Sequence, residues 1–131
     1  MISSRSSGQS SFVGQLNLIP VRLVNPSERL VSFDGQVVRV GRFAEQFSAE
    51  KPRLAVRPEE LNPGHAPGEN NLQGKIESIN YLGSIVRLRV EMGGMLFSMD
   101  IFMDIFERNL VLPRVGDRYD LHFPVDACWL I

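Results

Sequence analysis

The sequence predicts an all-β fold built as a small barrel or sandwich. Short apolar or alternating runs fill most of the chain after residue 11, and alternation with a period of two is typical of half-buried strands. Clusters of Asn, Asp, Pro and Gly separate these runs, as turns do in barrels made of short strands. Helical periodicity is scarce. Together these observations favour an all-β domain.

Eight runs are predicted to be strands. In chain order they are Leu16–Val24, Leu30–Phe33, Gln36–Val40, Leu54–Val56, Gly74–Ile79, Ile85–Met92, Met95–Phe102 and Tyr119–Phe123. Two connections, Asp34-Gly35 and Gly93-Gly94, have the residues of two-residue hairpin turns, which need positive φ. Short helical turns are predicted only near Phe43–Phe47 and Asp104–Asn109.

Size and charge limit the function. With 131 residues the chain is long enough for one ordinary domain, or for two very small barrels that share a core. Its formal net charge of -1 does not support nucleic-acid binding, because that function needs a broad basic surface. The sequence has no G-x-x-x-x-G-K-[ST] loop to hold nucleotide phosphates, so we do not expect it to hydrolyse ATP.

The few cysteine and histidine residues do not indicate a metal or redox site. Cys128 is the single cysteine and lies in an apolar terminal run, so it is interpreted as a small buried hydrophobe in a protein of a reducing compartment. His65 lies in a Pro/Gly-rich loop and His122 in a predicted strand, and neither has a second ligand at metal-binding spacing. No catalytic or metal site is predicted.

Three short motifs occur in order along the second half of the chain. They are LAVRPEEL at residues 54–61, Tyr81-Leu82-Gly83, and Val115-Gly116-Asp117. This combination resembles the regulatory region at the C-terminal end of the ATP-binding subunits of bacterial ABC importers, known as the transport-associated OB (TOBE) domain. The resemblance is loose over residues 12–131 and stronger over 54–131. It implies one or two related OB-like β-barrels around a shared core.

The resemblance also implies a function. Such domains are non-catalytic, and they regulate and dimerise the ATP-binding subunit, so the expected partners are a second copy of the subunit and, through the parent ATPase, the membrane permease subunits. ATP and Mg²⁺ would be bound by the ATPase region of the parent and no cofactor by this chain. The expected location is the cytoplasmic face of the cell membrane. Family members serve importers of polyamines, iron, sulfate and sugars.

Residue composition, together with the resemblance, indicates the domain organisation. Residues 1–11 are rich in serine and are expected to be a loose tail or an added remnant, whereas residues 12–131 form the regulatory domain. A boundary between two halves is expected near residues 62–70, where Pro and Gly cluster. A faint echo between Asn17-Leu18 and Asn71-Leu72 is consistent with two related halves.

Arg57-Pro58-Glu59 is the most specific candidate site. Pro58 favours an extended Arg57, so Arg57 and Glu59 should project from a fixed corner. One hypothesis is a structural clamp in which Arg57 binds a carboxylate or main-chain carbonyls. It expects Arg57→Ala to reduce stability more than ligand binding. The other interpretation is a contact with a partner subunit or effector.

An oxyanion-binding barrel is the alternative function. Residues 68–76 resemble the motif Ser-Ala-Arg-Asn-x-Leu-x-Gly-x-Val of molybdate-binding barrels, with matches at Asn71, Leu72 and Gly74. The carboxylate of Glu69 would repel an oxyanion, however. Candidate ligand contacts are Asn70, Asn71 and Lys75. A binder of single-stranded nucleic acid is a third and disfavoured class, because residues 66–131 hold 6 Lys+Arg against 9 Asp+Glu.

The apolar run from Met95 to Phe106 has hydrophobic residues on both of its faces. A barrel interior would cover one face, which leaves Phe102 and Phe106 as a candidate interface. The equal alternative is a core strand that passes into a covered turn. If the interface exists, Phe102→Glu or Phe106→Glu should weaken self-association.

Overall fold

The computed structural model describes residues 16–45, 47, 50–104 and 112–131. These ranges form short strands and two 3-10 turns, Pro58–Glu60 and Val125–Ala127. The strands are β1 (Asn17–Pro20), β2 (Arg22–Asn25), β3 (Leu30–Phe33), β4 (Gln36–Arg39), β5 (Arg42–Phe43), β6 (Arg53–Val56), β7 (Asn62–Pro63), β8 (Asn70–Leu82), β9 (Ile85–Met92), β10 (Met95–Phe102), β11 (Arg118–Phe123) and β12 (Cys128–Leu130).

The strands form three sheets. A five-stranded sheet has the order β10-β9-β8-β11-β7, a four-stranded sheet β1-β6-β12-β5, and a three-stranded sheet β2-β3-β4. Neighbours are antiparallel in all the described pairings except that of β12 with β5, which is parallel. The largest sheet curls into a half-barrel, and the predicted all-β fold class is confirmed.

Both predicted two-residue hairpin turns, Asp34-Gly35 and Gly93-Gly94, are confirmed. Asp34 and Gly35 have φ of 50° and 74°, and Gly93 and Gly94 have φ of 57° and 83°. Two successive positive φ values define the turn whose twist matches that of antiparallel strands. The two turns join β3 to β4 and β9 to β10.

Two of the predicted strands differ from the structure by more than one residue at an end. Leu16–Val24 is interrupted at Val21, whose N–H donates to Pro52 O at 3.1 Å, because the chain there leaves the four-stranded sheet and enters the three-stranded one. Gly74–Ile79 is part of the 13-residue β8. β8 exceeds its apolar run because β11 pairs with its first half and β9 with most of the remainder.

Two short strands replace predicted turn or linker segments. β7 lies in the expected linker and pairs with β11, and β5 begins the segment that was predicted to be helical near Phe43–Phe47. That segment does contain a turn, in which Phe47 N donates to Ala44 O at 3.1 Å. Of the predicted turn at Asp104–Asn109 the structure describes only Asp104. The predicted tail at residues 1–11 lies outside the described residues.

One hydrophobic core receives side chains from all three sheets. Phe33, Leu54 and Phe97 represent the three-, four- and five-stranded sheets in it, and the rings of Phe33 and Phe97 lie 5.5 Å apart. Along β10 alternate residues are buried, whereas Leu96 and Phe102 on the other face are 42% and 61% exposed. The three sheets therefore share one core, and the division into two related halves stays a prediction.

Side-chain amides join β4 to β8 where two of the sheets meet. Asn70 Oδ1 accepts from Arg39 N at 2.9 Å, and Asn70 Nδ2 donates to Arg39 O at 2.8 Å. In return, Gln36 Oε1 accepts from Gln73 N at 2.8 Å, and Gln36 Nε2 donates to Gln73 O at 3.1 Å. Each amide substitutes for one peptide of an antiparallel ladder. We call these four residues the amide seam.

Candidate functional site

Arg57 stands at a rigid corner between β6 and the first 3-10 turn. It is extended, with φ of -78° and ψ of 144°, because Pro58 disfavours the helical region for the residue before it. Pro58 is buried at the start of the turn, and Glu60 N donates to Arg57 O at 3.0 Å. Arg57 and Glu59 are both exposed. The corner therefore holds the Arg57 backbone and leaves its guanidinium outside the core.

The Arg57 guanidinium contacts the ring of Trp129. Its Cζ lies 5.4 Å from the ring centroid, and the Cζ of Arg42 lies 5.0 Å from the same centroid. β12, which carries Trp129, lies between β5 and β6 in the sheet, so the two arginines approach the ring from opposite neighbouring strands. A guanidinium over an indole is attracted by the ring quadrupole. This arrangement orients two cations around one half-buried ring.

A row of side chains crosses the outer face of the four-stranded sheet at this point. Leu18, Ala55, Trp129 and Arg42 are aligned by the strand register. Ala55 is fully buried, whereas Leu18 is 41% exposed. We call Arg42, Arg57, Trp129 and Leu18 the arginine–tryptophan face. The clamp hypothesis for Arg57 stays a prediction. In the structure the guanidinium of Arg57 contacts the ring of Trp129.

A second exposed group lies at the end of the β8–β9 hairpin. Tyr81, Leu82 and Phe102 are 59%, 49% and 61% exposed. Leu82 and Phe102 are both in register with Ile85, so the two side chains lie in one row across β8, β9 and β10. Gly83 provides the turn with φ of +73°. We call Leu82 and Phe102 the hairpin patch; Tyr81 is in register with Val86 and lies on the other face of the sheet, and Phe106 lies outside the described residues.

Gly116 and Asp117 form a turn that is tied to β8. Gly116 has φ of 93°, and Asp117 Oδ2 accepts from Arg114 N at 2.9 Å. Gly116 N donates to Ile76 O at 2.8 Å, and Ile76 N donates to Asp117 O at 2.9 Å. These bonds account for the Val-Gly-Asp motif as a structural element beside β8.

The candidate ligand contacts lie near one another on β8, but two of them are bonded internally. Asn70 is buried in the amide seam. Asn71 Oδ1 accepts from Ala66 N at 2.8 Å, and its Nδ2 donates to Ala66 O and Glu69 O, both at 2.9 Å. Lys75 is exposed. A ligand contact at these positions stays a prediction, and Lys75 is the member with a free head group.

Glu69 has a partner that the sequence did not indicate. Its Oε1 lies 2.6 Å from Nδ1 of His122, and the two side chains are 33% and 18% exposed. This contact fixes the loop before β8 against β11. His65, the other histidine, is exposed. Within the described ranges no three His, Cys, Asp or Glu side chains are grouped to hold a metal ion.

A shielded ion pair lies on the outer face of the five-stranded sheet. Arg87 Nε donates to Asp100 Oδ1 at 2.8 Å, and Arg87 Nη2 donates to Asp100 Oδ2 at 2.9 Å. Their side chains are only 15% and 16% exposed. The hydrogen bond to Asp100 raises the pKa of Arg87 even though desolvation lowers it. Asp100 is therefore a structural group here.

Sequence reasoning did not find Arg42 or Trp129 as site residues. β5 and β12 are paired in parallel and lie far apart in the chain, so no local pattern places their side chains together. The available signal was weak. It consisted of Arg57 before Pro58 and of Trp129, the single tryptophan, near the end of the chain.

The chain belongs to the TOBE domain family. The family model matches residues 54–131, which are more than half of the chain and include the Arg57 corner, β8 to β12 and Trp129.

Two curated relatives are ATP-binding proteins of importers. The chain is 26% identical over 127 residues to the spermidine/putrescine import ATP-binding protein PotA of Pseudomonas fluorescens, covering 93% of this chain and 34% of that protein. It is 28% identical over 109 residues to the sulfate/thiosulfate import ATP-binding protein CysA 2 of Chromobacterium violaceum, covering 79% and 29%. The chain thus spans about a third of the length of these relatives.

A solved structure with a similar fold is that of the cytoplasmic molybdate-binding protein ModG with molybdate bound. The TM-score is 0.63 at 12% identity, and the match covers 87% of this chain and 94% of that one. At this identity the likeness shows the fold alone, which is the predicted OB-like β-barrel.

Proposed function

We propose that this chain is the non-catalytic regulatory and dimerisation domain of an ABC importer ATP-binding subunit. The observation that carries the proposal is the TOBE domain match over residues 54–131, in a chain that also aligns with two import ATP-binding proteins. The aligned part is about a third of each relative, as a regulatory segment beside an ATPase region would be.

The partners follow from that assignment. A second copy of the subunit would bind through this domain, and the permease subunits would be reached through the parent ATPase, which would also hold ATP and Mg²⁺. The complex would lie at the inner face of the cell membrane. The cargo class stays open among polyamines, iron, sulfate and sugars. Among the described residues, no helix has the length and apolar character needed to cross a bilayer.

The hairpin patch is the proposed contact between two copies. Phe102 is 61% exposed, which is unusual for so large an apolar side chain unless another surface covers it. Sedimentation of the purified chain is expected to show a dimer, and Phe102→Glu to shift it towards monomer. Val37→Glu is the matched control, because Val37 is 54% exposed on a different sheet. An equal effect of both substitutions, or none from Phe102→Glu, would contradict this contact.

The parent subunit can be tested directly. The DNA upstream of the coding segment should encode a G-x-x-x-x-G-K-[ST] loop in the same reading frame. A free-standing gene without such a loop would contradict the importer assignment.

The likeness to ModG favours one alternative, an oxyanion-binding barrel. Calorimetry with molybdate, tungstate and sulfate separates the two functions. We expect no binding, because the amides of Asn70 and Asn71 are bonded to the main chain and Glu69 adds negative charge beside them. Saturable binding that Lys75→Gln abolishes would favour the alternative.

A further inference from the structure

We propose that the arginine–tryptophan face binds an acidic, extended segment of another protein. This surface lies on the four-stranded sheet, whereas the hairpin patch lies on the five-stranded one. The inference does not depend on dimerisation or on the importer assignment. It concerns a second interaction surface with a different chemistry.

The first argument is that the cations of this face have no anionic partner in the described structure. The ion pairs found in residues 16–45, 47, 50–104 and 112–131 do not include Arg42 or Arg57. Glu59 follows Arg57 after one residue, yet forms no ion pair with it. Arg53 adds a third exposed cation, two residues before Ala55 on β6 and therefore on the same face of the strand.

The second argument excludes an occupant from within the sequence. Outside the described ranges the chain has one carboxylate side chain, Glu107. The undescribed ranges therefore do not supply two carboxylates for Arg42 and Arg57. Because a guanidinium offers a planar fork that matches a carboxylate, two guanidiniums held by one ring fit two carboxylates at fixed spacing.

The third argument is the groove that continues from the face. Leu18 also lines a groove of about 420 Å³, together with Pro58, Arg89 and Leu96. Leu18 and Trp129 are separated by one strand, so they lie roughly 10 Å apart at the usual strand spacing. An extended segment of about three residues spans that distance. Its carboxylates would meet Arg42, Arg57 and Arg89, and an apolar side chain would lie on Leu18.

This composition favours a protein segment over a membrane surface. Tryptophan and arginine are the residues most enriched at the energetic centres of protein interfaces. Lipid headgroups offer no apolar side chain for the space between Leu18 and Leu96, which are 41% and 42% exposed. Membrane binding through charge alone also uses larger clusters of Lys and Arg.

The single tryptophan provides the experiment. The probe is a fluorescein-labelled nonapeptide with four glutamates around a central leucine; its control has glutamines in their place. We expect a saturable change in Trp129 fluorescence with the glutamate peptide only, which weakens as salt increases. Fluorescein anisotropy then compares the variants. Arg42→Gln and Arg57→Gln should each weaken binding by about fivefold, while Arg22→Gln, an exposed arginine on another sheet, should not.

Three results would overturn the proposal. These are equal binding of the glutamine peptide, equal weakening by Arg22→Gln, and no saturable change up to about 1 mM peptide, a concentration that still detects very weak complexes. Binding of phosphatidylglycerol vesicles without binding of the peptide would assign the face to lipid instead. A charge reversal guards against misfolded variants: Arg57→Glu should lose the glutamate peptide and gain a lysine peptide at unchanged Tm.

Discussion

Asn17 holds Ser98, 81 residues further along the chain, by both ends of its side-chain amide. Oδ1 accepts from Ser98 N at 2.8 Å, and Nδ2 donates to Ser98 O at 2.9 Å. Asn70 holds Arg39 in the same way. These two asparagines are the buried polar side chains of the described residues, each 6% exposed. Each one bonds the main-chain N–H and C=O of an edge strand, which a neighbouring strand would otherwise pair.

Asn70→Asp should destabilise the fold. The substitution keeps the size of the side chain but removes the Nδ2 donor and sets a carboxylate against the carbonyl of Arg39. We expect a loss of about 2 to 4 kcal/mol in the free energy of unfolding, measured by urea denaturation. Asn80→Asp, an exposed position on the same strand, should change it by less than about 0.5 kcal/mol. Similar losses at both positions would contradict the role of the seam.

Gly74→Ala should be poorly tolerated although its backbone conformation is ordinary. An added Cβ would lie 2.6 Å from Glu91 O and 2.7 Å from Val90 Cγ1, and the carbonyl belongs to a paired strand that cannot move alone. We expect a loss of about 1 to 3 kcal/mol in denaturation experiments. Gly94→Asn is the control, since nothing lies within 4 Å of Gly94 and asparagine accepts its positive φ. A harmless Gly74→Ala would refute the close approach.

The ion pair of Arg87 with Asp100 should matter more than that of Arg39 with Glu28. Asp100→Asn leaves a shielded guanidinium without its carboxylate, which should cost roughly 2 to 4 kcal/mol. Glu28→Gln should cost less than about 1 kcal/mol, because that pair is 3.4 Å long and its side chains are 48% and 59% exposed. The double variant Arg87→Met/Asp100→Leu should lose less than Asp100→Asn alone. Thermal melts measure these losses. Equal decreases in Tm for Asp100→Asn and Glu28→Gln would show that the shielded ion pair is no more important than the exposed one.

Alkali should destabilise the protein through buried acids. Burial raises the pKa of Cys128 from 9.0 to about 12, and that of Tyr119 from 10.0 to about 12. In the unfolded chain the thiol ionises from about pH 9, so the native state then holds more protons and stability falls as pH rises from 9 to 12. Urea denaturation between pH 7 and 11 should show this decline.

Variants identify the groups responsible. Cys128→Ala and Tyr119→Phe should each flatten the dependence of unfolding free energy on pH above 9. A profile that neither variant alters would rule out desolvation of these two groups as the cause.

The features that could be predicted from the sequence are those determined by neighbouring residues. Hairpins such as that at Asp34-Gly35 depend on two adjacent residues, and the alternation in β10 depends on its own side chains. The strand break at Val21 was missed because the main-chain partner of Val21 is Pro52, a residue distant in the chain.

The candidate site was only partly predictable for the same reason. The corner at Arg57 follows from its neighbour Pro58, but the ring beneath its guanidinium comes from the last strand of the chain. Asparagine is rare in strands, so Asn17 and Asn70 could have been noticed in the sequence. Their partners Ser98 and Arg39 depend on the sheet topology and could not.

Neutral amides carry no charge to titrate or to screen. The junctions at Asn17, Gln36 and Asn70 should therefore keep the barrel closed at any physiological acidity and ionic strength. The charges of the arginines on its outer surface, in contrast, are screened by salt. The domain thus combines a frame that is indifferent to the ionic medium with an exterior that is sensitive to it.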